Sequence, residues 1–279
     1  KFVDAMGLEN TVLYPTAALA IGLVQDPAWA CSISRAYNNW FHARYIKKDS
    51  RLKGVAVLPV QDPQAAAREL RYAVEKLDMV GAFLPSATVM NKAFGHPDFQ
   101  PIFRAAEELG VPLGIHGAPS RGFGFDYFED MGQVHALEHP FPLMIQFTSI
   151  VCDGVLEKFP RLKLAFLEAG CGWLPYLTDR LDYEYETRGS RSFPHMKKKP
   201  SAYVKESQVY VTCEPEETSL AYVTEVIGDD RLMFPSDYPH ERVYGEFLKD
   251  IPELLARPEL SDETKQRILY DNAKEFYRL

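Results

Sequence analysis

Three side chains of the kinds that bind metal ions or move protons end short apolar runs: His116 in VPLGIHG, Glu168 in LKLAFLE and Asp237 in LMFPSD. Runs of this length, apolar on both faces, read as strands of a covered parallel sheet. In an α/β barrel the carboxyl ends of such strands converge on one mouth, which is where the chemistry sits. One imidazole and two carboxylates suit Zn²⁺, and also Mn²⁺ or Fe²⁺. Asp237 stands out among the three. Its apolar run stops at Ser236-Asp237, and Pro239 breaks the segment two residues later. A carboxylate at that tip is a metal ligand or a general base.

Further candidates lie in the connections. His135 and His139 (HALEH) are four apart and can share a helix face, although no H-E-x-x-H pattern is present. Pro140 ends that helix, so His139 reads as structural or pocket-lining, and His135 as a residue of the mouth. Arg121 follows the His116 strand on a loop that Gly122 and Gly124 let bend. Its guanidinium could hold a substrate carboxylate through two parallel bonds. His96 precedes Pro97 between a strand and a helix, as a helix entry or a substrate contact. Tyr238 and His240, just beyond Asp237, complete the substrate-binding set. There is no G-x-S-x-G elbow, Walker A loop or G-x-G-x-x-G. Cys171, without evident His and Asn partners, reads as a buried thiol rather than a nucleophile.

Seven apolar runs recur, at residues 10–16, 52–60, 80–86, 111–117, 162–168, 208–214 and 232–237. Between them, 27–48, 63–77, 97–109, 142–159, 174–187 and 216–227 show helical spacing, several with Pro near the first turn. Two more helices are predicted over 244–256 and 262–277, the second capped by Ser261. Alternating β and α gives a parallel α/β fold. Seven strands are one short of a (β/α)8 TIM-like barrel. The opening residues resemble a helix end closed by Gly7, so the simplest expectation is a single barrel domain over 1–279 whose first strand precedes residue 1. An open seven-stranded sheet is the alternative. The connection of about 45 residues after the His116 strand is expected to wall the mouth.

Composition bounds the rest. The net charge of −8 over 279 residues argues against nucleic acid as the main partner. The longest apolar stretch, 12–24, is too short for a bilayer and contains Pro15. Four widely spaced cysteines without a C-x-x-C pair read as the reduced thiols of a cytoplasmic protein. The expected partner is a small-molecule substrate.

Taken together, PLGIH ending at His116, FPRLKL leading to Glu168-Ala-Gly-Cys-Gly-Trp-Leu-Pro-Tyr176, Ser236-Asp-Tyr-Pro-His240 and Asp271-Asn-Ala273 resemble the amidohydrolase superfamily. The similarity is closest to the branch containing aminocarboxymuconate semialdehyde decarboxylase, and it covers nearly the whole chain. The resemblance implies a distorted (β/α)8 barrel with a divalent metal at its mouth, a possible homodimer, and ligands from strands 1, 5 and 8. His116 matches the strand-5 ligand and Asp237 the strand-8 ligand. The strand-1 pair, H-x-H or E-x-H, would precede residue 1. Decarboxylase-type members usually carry His at the end of strand 6, where this chain has Glu168.

That difference favours a metal-dependent hydrolase acting on a small ester, lactone, amide or thioester through activated water, with zinc as the expected ion. Asp237 would move the proton, Glu168 would support the metal or a second proton transfer, and Arg121 and His135 would orient the substrate. The alternatives are a non-oxidative decarboxylase on the same scaffold and a metal-free binding barrel.

Overall fold

The computed structural model describes residues 2–120, 122–206, 208–240 and 246–279. Seven strands run β1 (Thr11–Leu13), β2 (Leu52–Val57), β3 (Gly81–Pro85), β4 (Leu113–His116), β5 (Lys163–Leu167), β6 (Gln208–Thr212) and β7 (Leu232–Met233). They pair in chain order and all in parallel. Helices fill the crossovers, so the sheet curls into a TIM-like barrel that lacks one strand. Among the described residues no ladder joins β7 to β1, and a cavity opens beside both edges.

Strand periodicity explains the two cores. Ala56, Leu58, Ala82, Leu84, Ile115, Leu164, Phe166, Val209 and Val211 face the helices and share a cluster with Leu70, Phe103 and Phe147. Val55, Val57, Phe83, Ala165, Leu167, Tyr210 and Met233 face the barrel interior. Successive residues point to opposite faces, so both sides are apolar and the runs carry no polar alternation. Phe166 is wedged between Phe147 and Trp173, with ring centroids 5.5 and 5.9 Å away. Burial of such a ring contributes about 1.5–3 kcal/mol.

Helix starts follow local chemistry. Asp26 and Asp62 each accept backbone N–H groups ahead of Pro27 and Pro63. Ser261 caps the helix that opens at Asp262, as its sequence predicts. The Phe2–Met6 helix ends at Gly7, whose φ is +66°.

Several boundaries differ from expectation. The helix predicted over 142–159 is two helices, Pro140–Cys152 and Val155–Lys158. Gly154 breaks it in a left-handed turn pressed against the His195 backbone. The helix starting at Pro27 stays α-helical to Phe41 and continues as a π-turn over His42–Ile46. The helix predicted from 216 starts at Leu220. Before it, the Glu217 carboxylate accepts N–H groups of Cys171, Gly172 and Glu214. The start of the helix predicted over 244–256 lies outside the described residues; its described part is Asp250–Ala256 after a 3-10 turn. All four cysteines are free thiols, and none of the described helices is long and apolar enough to cross a membrane.

Candidate active site at the barrel mouth

The mouth is built by register. Pro85 pairs with His116, and His116 with Leu167, so the tips of β3, β4 and β5 are level. Ile115 faces the helices, and His116, one residue on, turns to the interior. Its ring lies between Tyr14 and Phe83, with centroids 5.9 and 6.2 Å away. Its Nδ1 lies 2.7 Å from the Gly117 carbonyl, which fixes the ring and turns Nε2 outward.

Glu168 reaches this imidazole against strand parity. Leu164 and Phe166 face the helices, so continued alternation would send residue 168 the same way. Instead Glu168 adopts φ +62°, and its N–H donates to Thr212 Oγ1 at 2.9 Å. A non-glycine residue in this region costs on the order of 1 kcal/mol or more and is characteristic of functional sites. The turn brings Glu168 Oε2 to 2.5 Å from His116 Nε2. Burial opposes charge on His116, but the hydrogen bond and charge of Glu168, with help from the Gly117 carbonyl and Asp237, raise its pKa above the usual imidazole value. Burial likewise works against ionised Glu168, yet His116, His139 and His240 hold its pKa below the ordinary range. Each group thus favours the charged form of the other.

Asp237 also has positive φ, at +42°. Regular β7 ends at Met233, and Phe234–Ser236 carry the chain irregularly to the mouth. His240 closes the turn: its N–H donates to the Asp237 carbonyl at 2.7 Å, and its Nδ1 lies 3.2 Å from Asp237 Oδ1. Its Nε2 lies 3.2 Å from Thr16 Oγ1, which ties the loop after β1 to the loop after β7. Tyr238 stacks on Phe2 at 4.1 Å and packs edge-on to Phe247, roofing this side. A cavity of about 290 Å³ joins His116, Glu168, Asp237, Tyr238 and His240. Pockets near this size suit small molecules.

The other expected residues divide. His135 lies on the Met131–Glu138 helix, its ring 4.8 Å from that of His139. His139, read from sequence as structural or pocket-lining, comes within 3.8 Å of Glu168 Oε1. Burial holds its imidazole below the usual range despite the Glu168 carboxylate. Gly117 admits this ring, because a Cβ there would lie 1.9 Å from His139 Cδ2. His96 is corrected. It caps the 3-10 turn at Pro97, accepting the Asp98 N–H, and lines a separate polar cleft with Asp153 and His195. Arg121 lies outside the described residues. Thr16, Tyr14 and Thr212 were not foreseen, since a single hydroxyl after a strand carries no sequence signal. For His139 the H-x-x-x-H spacing was the available clue.

The donor set fits a divalent cation. Single donor atoms of Glu168, Asp237 and His240 all lie within 4.8 Å of one another, and His116 Nε2 abuts Glu168. Nitrogen and carboxylate oxygen donors in this mixture accept several first-row ions.

A curled parallel barrel with histidine and carboxylates converging at the strand tips is the frame of a metal-assisted α/β-barrel enzyme. The Amidohydrolase family model matches residues 14–279, and the chain belongs to that family. Gamma-resorcylate decarboxylase of Polaromonas sp. is 25% identical over 300 residues, covering 100% of this chain and 86% of the relative. 2-Amino-3-carboxymuconate-6-semialdehyde decarboxylase of Dictyostelium discoideum is 25% identical over 267 residues, covering 95% and 71%. Among solved structures, 5-carboxyvanillate decarboxylase of Novosphingobium aromaticivorans, with bound manganese, superposes with a TM-score of 0.82 at 26% identity, covering 99% and 79%.

These relatives overturn hydrolysis as the leading expectation. That expectation rested on Glu168 replacing an imidazole. That single difference does not outweigh relatives that span nearly the whole chain and are named for decarboxylation. Nor does zinc gain support over other divalent ions, since the metal in the relative's structure is manganese.

Proposed function

We propose that this chain is a metal-dependent, non-oxidative decarboxylase of a small aromatic or conjugated carboxylic acid. The observation that carries this reading is that the curated relatives spanning the chain almost end to end are named for decarboxylation. The mouth supports it with His116, Glu168, Asp237 and His240 around a cavity sized for one ring.

His116, Glu168 and Asp237 would hold the cation, with manganese the ion to try first. Such an ion supplies fixed positive charge against which the anionic groups of the substrate orient. The chain's residues do the rest. Asp237, held by His240, takes up a proton from water and passes it to the ring carbon that bears the carboxylate. The carbon–carbon bond then breaks, its electron pair restores conjugation, and CO₂ leaves, so one proton replaces one CO₂. His116 and Glu168 set two of the cation's donors side by side at the tips of β4 and β5, and Tyr238 stacks on Phe2 at the opposite side of the mouth.

The test is turnover of 2,6-dihydroxybenzoate, 5-carboxyvanillate and related acids with Mn²⁺ in D₂O. One CO₂ per product, with deuterium at the former carboxyl-bearing carbon, is expected. Turnover of esters or lactones with incorporation of water oxygen, and no CO₂ from any acid, would overturn the reading.

A further inference from the structure

We propose that His135, Glu138 and His139 form a second divalent-cation site on the rim, separate from the set at the strand tips, suited to Zn²⁺ or a neighbouring late first-row ion. The spacing H-x-x-E-H places positions i, i+3 and i+4 on one side of a helical turn. The Met131–Glu138 helix has this form, and His139 ends it with helical backbone angles before Pro140 opens the next. One donor atom from each of the three residues lies within 4.8 Å of the others. The two imidazole rings are 4.8 Å apart. Two imidazole nitrogen donors and one carboxylate are a set that zinc accepts, and in inverted zincins the same spacing supplies two histidine ligands.

A second observation separates this cluster from a helix face that happens to carry histidines. His139 Nδ1 is buried and has no hydrogen-bond partner. Buried polar atoms of native proteins are almost always paired, and an unpaired one calls for an explanation such as an ion. The ring is also held from behind, because the Gly117 backbone approaches it as closely as only glycine allows. No residue of the Met131–Glu138 helix is buried, so an ion reaches the cluster from solvent. The 3.8 Å from His139 Nε2 to Glu168 Oε1 sets the cluster beside the mouth.

Cobalt titration of the chelator-stripped full chain tests this, with equilibrium dialysis for stoichiometry and visible absorption for geometry. His135→Gln and Glu138→Gln should each bind one equivalent fewer than wild type, and the remaining spectrum should lose its histidine-rich component. A His116→Asn/Asp237→Asn chain should keep the lost equivalent. Unchanged stoichiometry in His135→Gln overturns the proposal, as does a folded double variant that binds no cobalt. Should the double variant fail to fold, His135→Gln decides alone, since its site is on an open helix. The readout is ion count, so failure of every decarboxylation assay leaves this site standing, and loss of this site leaves the reaction standing.

Discussion

Glu168 Oε2 lies 2.5 Å from His116 Nε2, across the tips of adjacent parallel strands, because Glu168 takes a left-handed backbone turn that strand alternation does not call for. That turn converts a residue destined for the helix layer into the partner of a barrel-interior histidine.

Replacing Glu168 with Gln keeps its shape and removes its charge. CO₂ release should fall about 100-fold or more, the scale of losing a positioned proton-handling group. Metal content should fall with it. Steady-state assays and elemental analysis on the same preparation check both. Full activity in Glu168→Gln would mean that the ion pair plays no part in turnover.

Gly117 is a place where one methyl group should matter. Gly117→Ala would put a Cβ 1.9 Å from His139 Cδ2, so the ring must leave its seat. Overpacking of this kind typically destabilises by about 1–3 kcal/mol. Urea denaturation should show that loss, and cobalt binding by the rim cluster should weaken in parallel. A variant as stable as wild type would show that the rim yields easily.

Thr16 is 224 residues from His240 in sequence, yet its hydroxyl holds the imidazole that orients Asp237. Thr16→Val should change stability by no more than about 0.5 kcal/mol, because the bond it removes is exposed. The expected rate loss is roughly tenfold, equivalent to about 1.4 kcal/mol of barrier. It should fall on kcat more than on KM, because the substrate pocket keeps its walls. A change in KM alone would place Thr16 in binding instead.

Acid stability should depend on Asp229. Burial raises its pKa, but the hydroxyl of Thr264 at 2.8 Å and the guanidinium of Arg267 at 2.6 Å outweigh it and leave the pKa lowered. A depressed carboxylate stabilises the fold above its unfolded value of about 3.9, and the contribution disappears as pH falls through the folded value. Wild type should therefore exceed Asp229→Asn in stability at pH 7, and the gap should close at an acid pH that protonates Asp229 in the folded protein. Denaturant midpoints at the two pH values measure it. A gap that persists in acid would point to packing rather than charge.

Much of this molecule is legible in its sequence for one reason: strand and helix periods are local. The apolar runs around Val55, Phe83, Leu164 and Val209 are buried on both faces, and only a parallel sheet covered by helices asks for that. His116 and Asp237 could be singled out as candidates because each ends such a run in the sequence. His96 shows the limit of that logic. It also follows a strand, but its ring turns back to cap Pro97 and enters a different cleft.

The sequence by itself determined the order of strands and helices, the barrel class and the kinds of donor at the mouth, since hydrophobic period and residue chemistry require no distant contact. Tertiary structure alone decided which donors meet. Glu168 faces His116 through a positive φ, His139 reaches the site through space left by a missing Cβ at Gly117, and Thr16 binds His240 across the gap between the outer strands. Each depends on a backbone torsion or an approach between segments far apart in the chain, and no local pattern of residues encodes either.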